Sequence, residues 1–377
     1  MKLINKKFIP VNEPHILNQD AKKVYNIIKS GWISSEGKEV IKLEKKFSKF
    51  IGCKYGIAVA NGTAALEVAI KSLGLKKGDQ VIMPNFTIIS NLLAVIKQGC
   101  KPIFIDCDKY NWNMNINEIA KKINKKTKAI IATHIYNYPL EIDKIKKICK
   151  KKKIYLIEDA AEVLGLRYKN KYCGSYGDIS TFSFYANKHI TTGEGGIILT
   201  NKNSLYKKCH SLKNLCFGTD HNRFNHDDIG WNYRLSNIQA VLALSQLKRI
   251  NKIVKKKIQV GKTYYSYLKN NKNIYFPRPK INNLPNIYWV NAILISKKTG
   301  YDSKKLSKKL LDYNIQTRPF FWPMNEQKIL KKLNISNKEK FPNSRLISRY
   351  GLYLPSSISL NNKTIKYICK VINYILG

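Results

Sequence analysis

Residues 178–200, "DISTFSFYANKHITTGEGGIILT", set two apolar runs around a short polar segment that holds one lysine, Lys188. β-Branched and aromatic residues dominate both runs, so each predicts a strand. The Thr-Thr-Gly-Glu-Gly-Gly turn before the second run lets the backbone bend and approach another group closely. Lysine is rarely buried without a purpose, so a lysine fixed between a strand and such a turn asks for a chemical use.

The flanking sequence gives the lysine its setting. Apolar β-rich runs alternate with helix-like stretches: "YGIAVA" (55–60), "QVIMP" (80–84), "KPIFIDCD" (101–108), "KAIIATHIY" (128–136) and "KIYLIEDAAEV" (153–163). Leu66, Ala69, Ile70 and Leu73 recur at helical spacing after the first of these runs. Strands alternating with helices predict right-handed β-α-β crossovers and an α/β fold with a mostly parallel, doubly wound sheet. After about residue 235 the pattern changes to a long helical region, 236–270. Strands around 287–295 and 314–318 and helices near 303–312 and 364–375 follow. We expect a large α/β domain over 1–245, including the N-terminal segment, and a smaller α+β domain over 246–377.

The formal net charge of +44 invites a nucleic-acid reading. Of the 68 basic residues only eight are arginine, the better residue for bidentate phosphate recognition. The lysines are spread along the chain on solvated helix faces, so nucleic acid is not the expected partner. The first residues, "MKLINKKFIPVNEP", lack the apolar core of a signal peptide. No apolar run approaches the roughly 20 residues of a membrane-spanning helix. Eight cysteines show no C-x-x-C pair and no framework spacing, which suits reduced thiols, a cytoplasmic setting and no metal site.

Asp159 ends the run "IYLIED" at the carboxyl end of a predicted strand, where open α/β sheets place their ligands. An aspartate there also serves as a helix cap, so position alone does not decide its role. One chemistry uses it together with Lys188: a lysine Schiff base to pyridoxal phosphate, with a carboxylate holding the pyridine nitrogen protonated. The phosphate needs donors. In "VANGTAAL" a strand turns through Asn61-Gly62 into a helix, so the N–H groups of Gly62, Thr63 and Ala64 point at an anion. Ser183 adds a hydroxyl five residues before the lysine.

These segments resemble the DegT/DnrJ/EryC1/StrS sugar aminotransferases. The resemblance runs from "FIPVNEP" to the C-terminus through "GWISSEGK" (31–38), "NGTAAL" (61–66), "PIFID" (102–106), "IEDAAE" (157–162), "GDISTFSF" (177–184), "NKHITTGEGG" (187–196), "HDDIGWNYRLSNIQA" (226–240) and "TRPFFWP" (317–323). It implies a fold-type I, aspartate aminotransferase-like pyridoxal phosphate enzyme. Lys188 then matches the Schiff-base lysine and proton shuttle, and Asp159 the partner of the pyridine nitrogen. Gly62, Thr63 and Ser183 match the phosphate cradle. Asn232 matches an asparagine that reaches the phosphate from the neighbouring subunit, implying a homodimer with shared sites. Glu162 stands near the cofactor where many relatives have His or Gln. Arg318 and the "GWISS" segment, with Ser35, would meet the sugar nucleotide. The family usually sets an aromatic ring against the cofactor, but "PNFTIIS" carries Ile88 there. Either Ile88 covers the ring by apolar contact or Phe86 substitutes for the missing aromatic. His134 is expected to pack near the site.

The likeness is strongest to the branch that moves an amino group from L-glutamate to C4 of a GDP-linked 4-keto-6-deoxy-D-mannose, for O-antigen or similar surface polysaccharides. A dTDP- or UDP-linked keto sugar is an alternative, and a 3-keto sugar another. A non-catalytic pyridoxal phosphate-binding or polyanion-binding protein would be a different class.

Overall fold

The computed structural model describes residues 7–218, 220–279, 284–335 and 339–377. Helices α1 (Asn18–Lys29) and α2 (Lys38–Ile51) precede the first strand. Then β1 (Tyr55–Val59), α3 (Gly62–Ser72), β2 (Gln80–Pro84), α4 (Ile89–Lys97), β3 (Lys101–Ile105), α5 (Ile119–Lys122), β4 (Thr127–Thr133), α6 (Ile142–Lys152) and β5 (Tyr155–Asp159) alternate. A small hairpin, β6 (Arg167–Tyr168) and β7 (Lys171–Tyr172), leads to β8 (Ile179–Ser183) and β9 (Gly196–Thr200). The seven-stranded sheet runs β1-β9-β8-β5-β4-β2-β3. Its β2–β3, β2–β4, β4–β5 and β5–β8 pairs are parallel, while β9 is antiparallel to both neighbours. The α/β fold read from the sequence is therefore present. Reversed β9 also makes the Lys188 segment a connection between antiparallel neighbours. Apolar clusters cover both faces of the sheet, and every residue of β9 is buried, which explains why its strands read as continuous apolar runs.

Helices α7 (Asn203–Lys213), α8 (Asn237–Leu247) and α9 (Ile250–Leu268) follow. The sequence predicts one helical region over 236–270, but the chain breaks at Lys248–Arg249. Arg249 turns out of helical register to donate to both oxygens of buried Asp20, at 2.6 Å each. A carboxylate without solvent needs such a partner, and α1 is thereby tied to the start of α9. A second, antiparallel sheet comprises β10 (Ile274–Tyr275), β11 (Asn291–Ile295), β12 (Arg318–Pro319) and β13 (Gly351–Leu354) in the order β10-β11-β13-β12. Strand β11 begins later than the sequence predicts because Tyr288, at φ +49°, bends the chain before it. With α10 (Ser303–Leu311), α11 (Lys328–Lys332), α12 (Pro342–Tyr350) and α13 (Asn362–Leu376), these elements complete the chain. α9, α10 and α13 pack with the second sheet in one apolar cluster.

Helix α12 follows Phe341, which has no side-chain oxygen to cap it. Asp106, just past β3, does so from outside by accepting from the N–H groups of Asn343 (3.0 Å) and Ser344 (2.9 Å). Seven of the eight cysteines are buried, Cys53 is half-buried, and all are free. Burial pushes the thiols of Cys53, Cys149, Cys209 and Cys369 up to about 12, and that of Cys100 to about 11. Among the described residues no helix is long and apolar enough to cross a membrane.

Candidate active site

A cavity of about 660 Å³ opens where β5 and β8 end, between the first turn of α3 and the edge of the second sheet. Gly62, Thr63, Ala64, Ile88, Asp159, Glu162, Ser183, Lys188 and Arg318 all line it. The topology explains the convergence. Parallel β5 and β8 deliver Asp159 and Ser183 at adjacent carboxyl ends, and the β8–β9 connection carries Lys188 over them.

Helix α3 starts at Asn61, whose side chain accepts from the Ala64 N–H at 2.8 Å. The Gly62 and Thr63 N–H groups find no acceptor among the described residues, so the helix end presents two backbone donors to an anion. A Cβ on Gly62 would lie 2.9 Å from the Ser183 Cβ, so only glycine lets β8 and the helix start approach this closely. The Thr63 and Ser90 hydroxyls share a hydrogen bond of 2.8 Å on the same rim.

Asp159 is buried. Asn91 donates to its Oδ2 at 2.9 Å and the Ala161 N–H to its Oδ1 at 3.2 Å. Burial nevertheless pushes its carboxyl above the ordinary range, with Asn91 and Ala161 pulling the other way. Its charged form therefore calls for a cationic N–H partner. Behind it, His134 accepts the Leu140 N–H at Nδ1 and faces Glu158 through Nε2 at 3.0 Å, so it packs beneath the site and does not line it.

Lys188 sits on the wall with Nζ 3.9 Å from the centre of the Trp289 ring. Burial drives the ammonium down from its usual range, while Glu162 and then Asp159 hold it up. The indole N–H of Trp289 donates to the Asn187 carbonyl at 2.9 Å, fixing the ring beside the lysine's own segment. Buried Glu162 accepts the Tyr136 N–H at 2.6 Å, and Tyr136 adopts φ +57° to offer it. Burial raises the Glu162 carboxyl to about 7, opposed by Lys188 and the Tyr136 N–H and assisted by Asp159.

Of the two readings for the residue that covers the ring, one is placed differently, and Ser35 and Asn232, the latter expected to act from a neighbouring subunit, lie outside this cavity. Phe86 does not substitute at the cavity: it is buried in an aromatic cluster with Tyr136, Phe320 and Phe321, and Ile88 is the residue that lines the wall. Asn232 lies outside this cavity, exposed, with its Oδ1 accepting from Arg234 Nε at 2.8 Å. Ser35 also lies outside it, in a segment that abuts the start of α8 through Asn237. Residues the sequence did not single out complete the wall: Trp289, Tyr353, Tyr233 and Glu67, the last accepting from Tyr233 (2.8 Å) and Lys97 (2.6 Å). A tryptophan in the apolar run "IYWV" was the one visible signal among them.

The donor set fits a phosphate-bearing aromatic aldehyde such as pyridoxal phosphate: a helix start with two free backbone N–H groups, a carboxylate for a ring nitrogen and a lysine of lowered basicity share one cavity. The profile of the DegT/DnrJ/EryC1/StrS aminotransferase family matches residues 14–373. The chain is 37% identical to the GDP-perosamine synthase of Escherichia coli O157:H7, covering 97% of this chain and 98% of that one. It is 35% identical to the GDP-perosamine synthase of Vibrio cholerae, covering 97% and 99%. Its fold matches a solved E. coli GDP-4-keto-6-deoxy-D-mannose-3-dehydratase with bound hydrated PLP (TM-score 0.90, 22% identity, 98% and 99% covered).

Proposed function

Since the chain belongs to the DegT/DnrJ/EryC1/StrS aminotransferase family, we propose that it transfers an amino group from L-glutamate to C4 of GDP-4-dehydro-6-deoxy-D-mannose, making GDP-perosamine in the cytoplasm. The observation that carries this reading is the meeting of Lys188, Asp159 and the open first turn of α3 in one cavity. Pyridoxal phosphate, when bound, supplies an electron sink that lets an amino group and a ketone be exchanged.

The chain's own groups do the rest. The Gly62 and Thr63 N–H groups and the Ser183 hydroxyl would hold the cofactor's phosphate. Asp159, oriented by Asn91, would keep the ring nitrogen protonated, and Ile88 would offer an apolar side chain to the ring. Lys188 takes the proton from Cα of the amino donor and, in the second half of the cycle, delivers one to C4 of the sugar. A lysine of lowered basicity suits both directions of transfer. Arg318, which lines the cavity beside Tyr353, would meet the anionic sugar nucleotide. Asn232 and Ser35 serve the cavity of a second copy, so the working unit is a homodimer.

Single-turnover assays of the amino-loaded protein against GDP-, dTDP- and UDP-linked 4-keto-6-deoxy sugars test the reading. Turnover of the GDP sugar, with loss of both turnover and the visible absorbance band in Lys188→Ala, is the expected result. Turnover of only another nucleotide sugar would replace the substrate, and a colourless wild-type protein would overturn the chemistry.

A further inference from the structure

A groove of about 810 Å³ adjoins the active-site cavity. Ile88 and Phe321 line the cavity, and the next residue in each case, Ile89 and Trp322, lines the groove. Consecutive Cα atoms are about 3.8 Å apart, so the two hollows meet at this wall. Asn85, buried just past β2, holds the groove's loop in place: it donates to Asn325 Oδ1 at 2.8 Å and accepts the Asn325 N–H at 2.9 Å. Ile89 and Leu93, one turn apart on α4, give the groove an apolar side, and Trp322 leaves 40% of its surface open. Glu326 is the one carboxylate among the described residues lining the groove. Its Oε1 lies 3.4 Å from Arg345 Nε, and its Oε2 lies 3.5 Å from Arg349. Both contacts are longer than a good hydrogen bond, and each oxygen carries two lone pairs, so both can accept a further donor. The Arg349 guanidinium also lies 5.8 Å from the centre of the Trp322 ring, which ties the ring and the carboxylate into one assembly.

We propose that this groove selects the base of the substrate nucleotide: Trp322 stacks on guanine, and the Glu326 carboxylate accepts its N1–H and 2-amino donors. The inference rests on the proposed function for the substrate being a nucleotide sugar, and it adds what that reading leaves open, the residues that choose the base. An aromatic face is a general platform for any base, so Trp322 supplies affinity without selectivity. The selectivity lies in the carboxylate, which can only accept. Guanine sets two adjacent N–H donors on its Watson–Crick edge, one for each oxygen. Uracil and thymine set a single N–H between two carbonyls, so one or both of those oxygens would face the carboxylate, acceptor against acceptor. Arg318 lines the active-site cavity on the segment that leads to Trp322, so a diphosphate joining the sugar to the base passes its guanidinium.

The test needs no turnover. Calorimetric titration of the protein loaded with pyridoxal phosphate measures its affinity for GDP, dTDP and UDP. GDP should bind about tenfold or more tightly than either pyrimidine nucleotide. Glu326→Gln offers one acceptor and one donor, which suits uracil and not guanine. It should lose about ten- to a hundredfold in GDP affinity while UDP affinity holds or rises. Trp322→Ala should weaken GDP and UDP alike by about tenfold, and Trp322→Phe should recover most of that loss. A Glu326→Gln protein whose GDP and UDP affinities stay as in wild type, or fall together, would overturn the proposal. If that variant does not fold, wild-type protein still decides. Inosine diphosphate, which lacks the 2-amino group, should bind about tenfold more weakly than GDP, and equal affinities would overturn the base site. Selective GDP binding alongside failure of every nucleotide sugar in the turnover assay would sink the functional reading and leave the base site standing. Turnover of the GDP sugar by a protein that binds all three nucleotides equally would do the reverse.

Discussion

Glu162 accepts a hydrogen bond from a strained backbone and shares a wall with Asp159 and Lys188. Its carboxyl, near 7 in the folded protein and about 4.3 in an unfolded chain, binds an extra proton in the native state between those values. Its contribution to stability is therefore present below about 4.3 and lost as the pH rises through 7. Glu162→Gln keeps an acceptor for the Tyr136 N–H and removes the titration. In cofactor-free protein it should be more stable than wild type by about 1–3 kcal/mol at pH above 8, with the difference closing near pH 5, read by thermal melts across that range. Lys188 and Asp159 were legible in the sequence because each sits at the end of a β-rich run where a polar residue stands out. Trp289 and Tyr136 were not. One meets Lys188 only after the second sheet docks on the first, and the other's left-handed backbone has no marker in a tyrosine's identity.

Among the elements, α12 cannot cap itself, and Asp106 from the far sheet supplies the acceptors. Asp106→Ala leaves the Asn343 and Ser344 N–H groups unsatisfied and removes a negative charge from the helix's positive end. It should cost about 2–4 kcal/mol in denaturant unfolding. Because Asp106 does not line the active-site cavity, kcat of the folded fraction should stay close to wild type. The sequence held "PIFID" as a strand with a motif but gave no sign of its partner, more than two hundred residues later. The break between α8 and α9 was hidden for a similar reason. Helical periodicity continues through Lys248–Arg249, and only the need of buried Asp20 for a cation interrupts it. Strands covered on both faces were the easier elements, since their apolar runs are continuous in the sequence itself.

For the whole molecule, Asn232 and Ser35 raise the question of a second copy, because both lie outside the cavity of their own chain. If Asn232 acts across a dimer interface, Asn232→Ala should weaken cofactor binding about tenfold, the worth of one hydrogen bond to a charged group. At a cofactor concentration low enough to leave Asn232→Ala largely empty, mixing it after dissociation with Lys188→Ala should then restore activity. Half of a random mixture is heterodimer with one of its two sites intact, so about a quarter of wild-type activity is expected. Activity no greater than the sum of the two variants alone would place Asn232 in its own chain's structure.

The eight thiols have a practical consequence. Buried or half-buried, and mostly pushed far above neutral pH, they offer almost no thiolate to a maleimide. The natural chain thus behaves as a cysteine-silent background. One engineered surface cysteine on α13 and another on α6 would take a fluorophore pair without deleting a native residue. Distances between the two sheets could then be followed during turnover in otherwise unaltered protein.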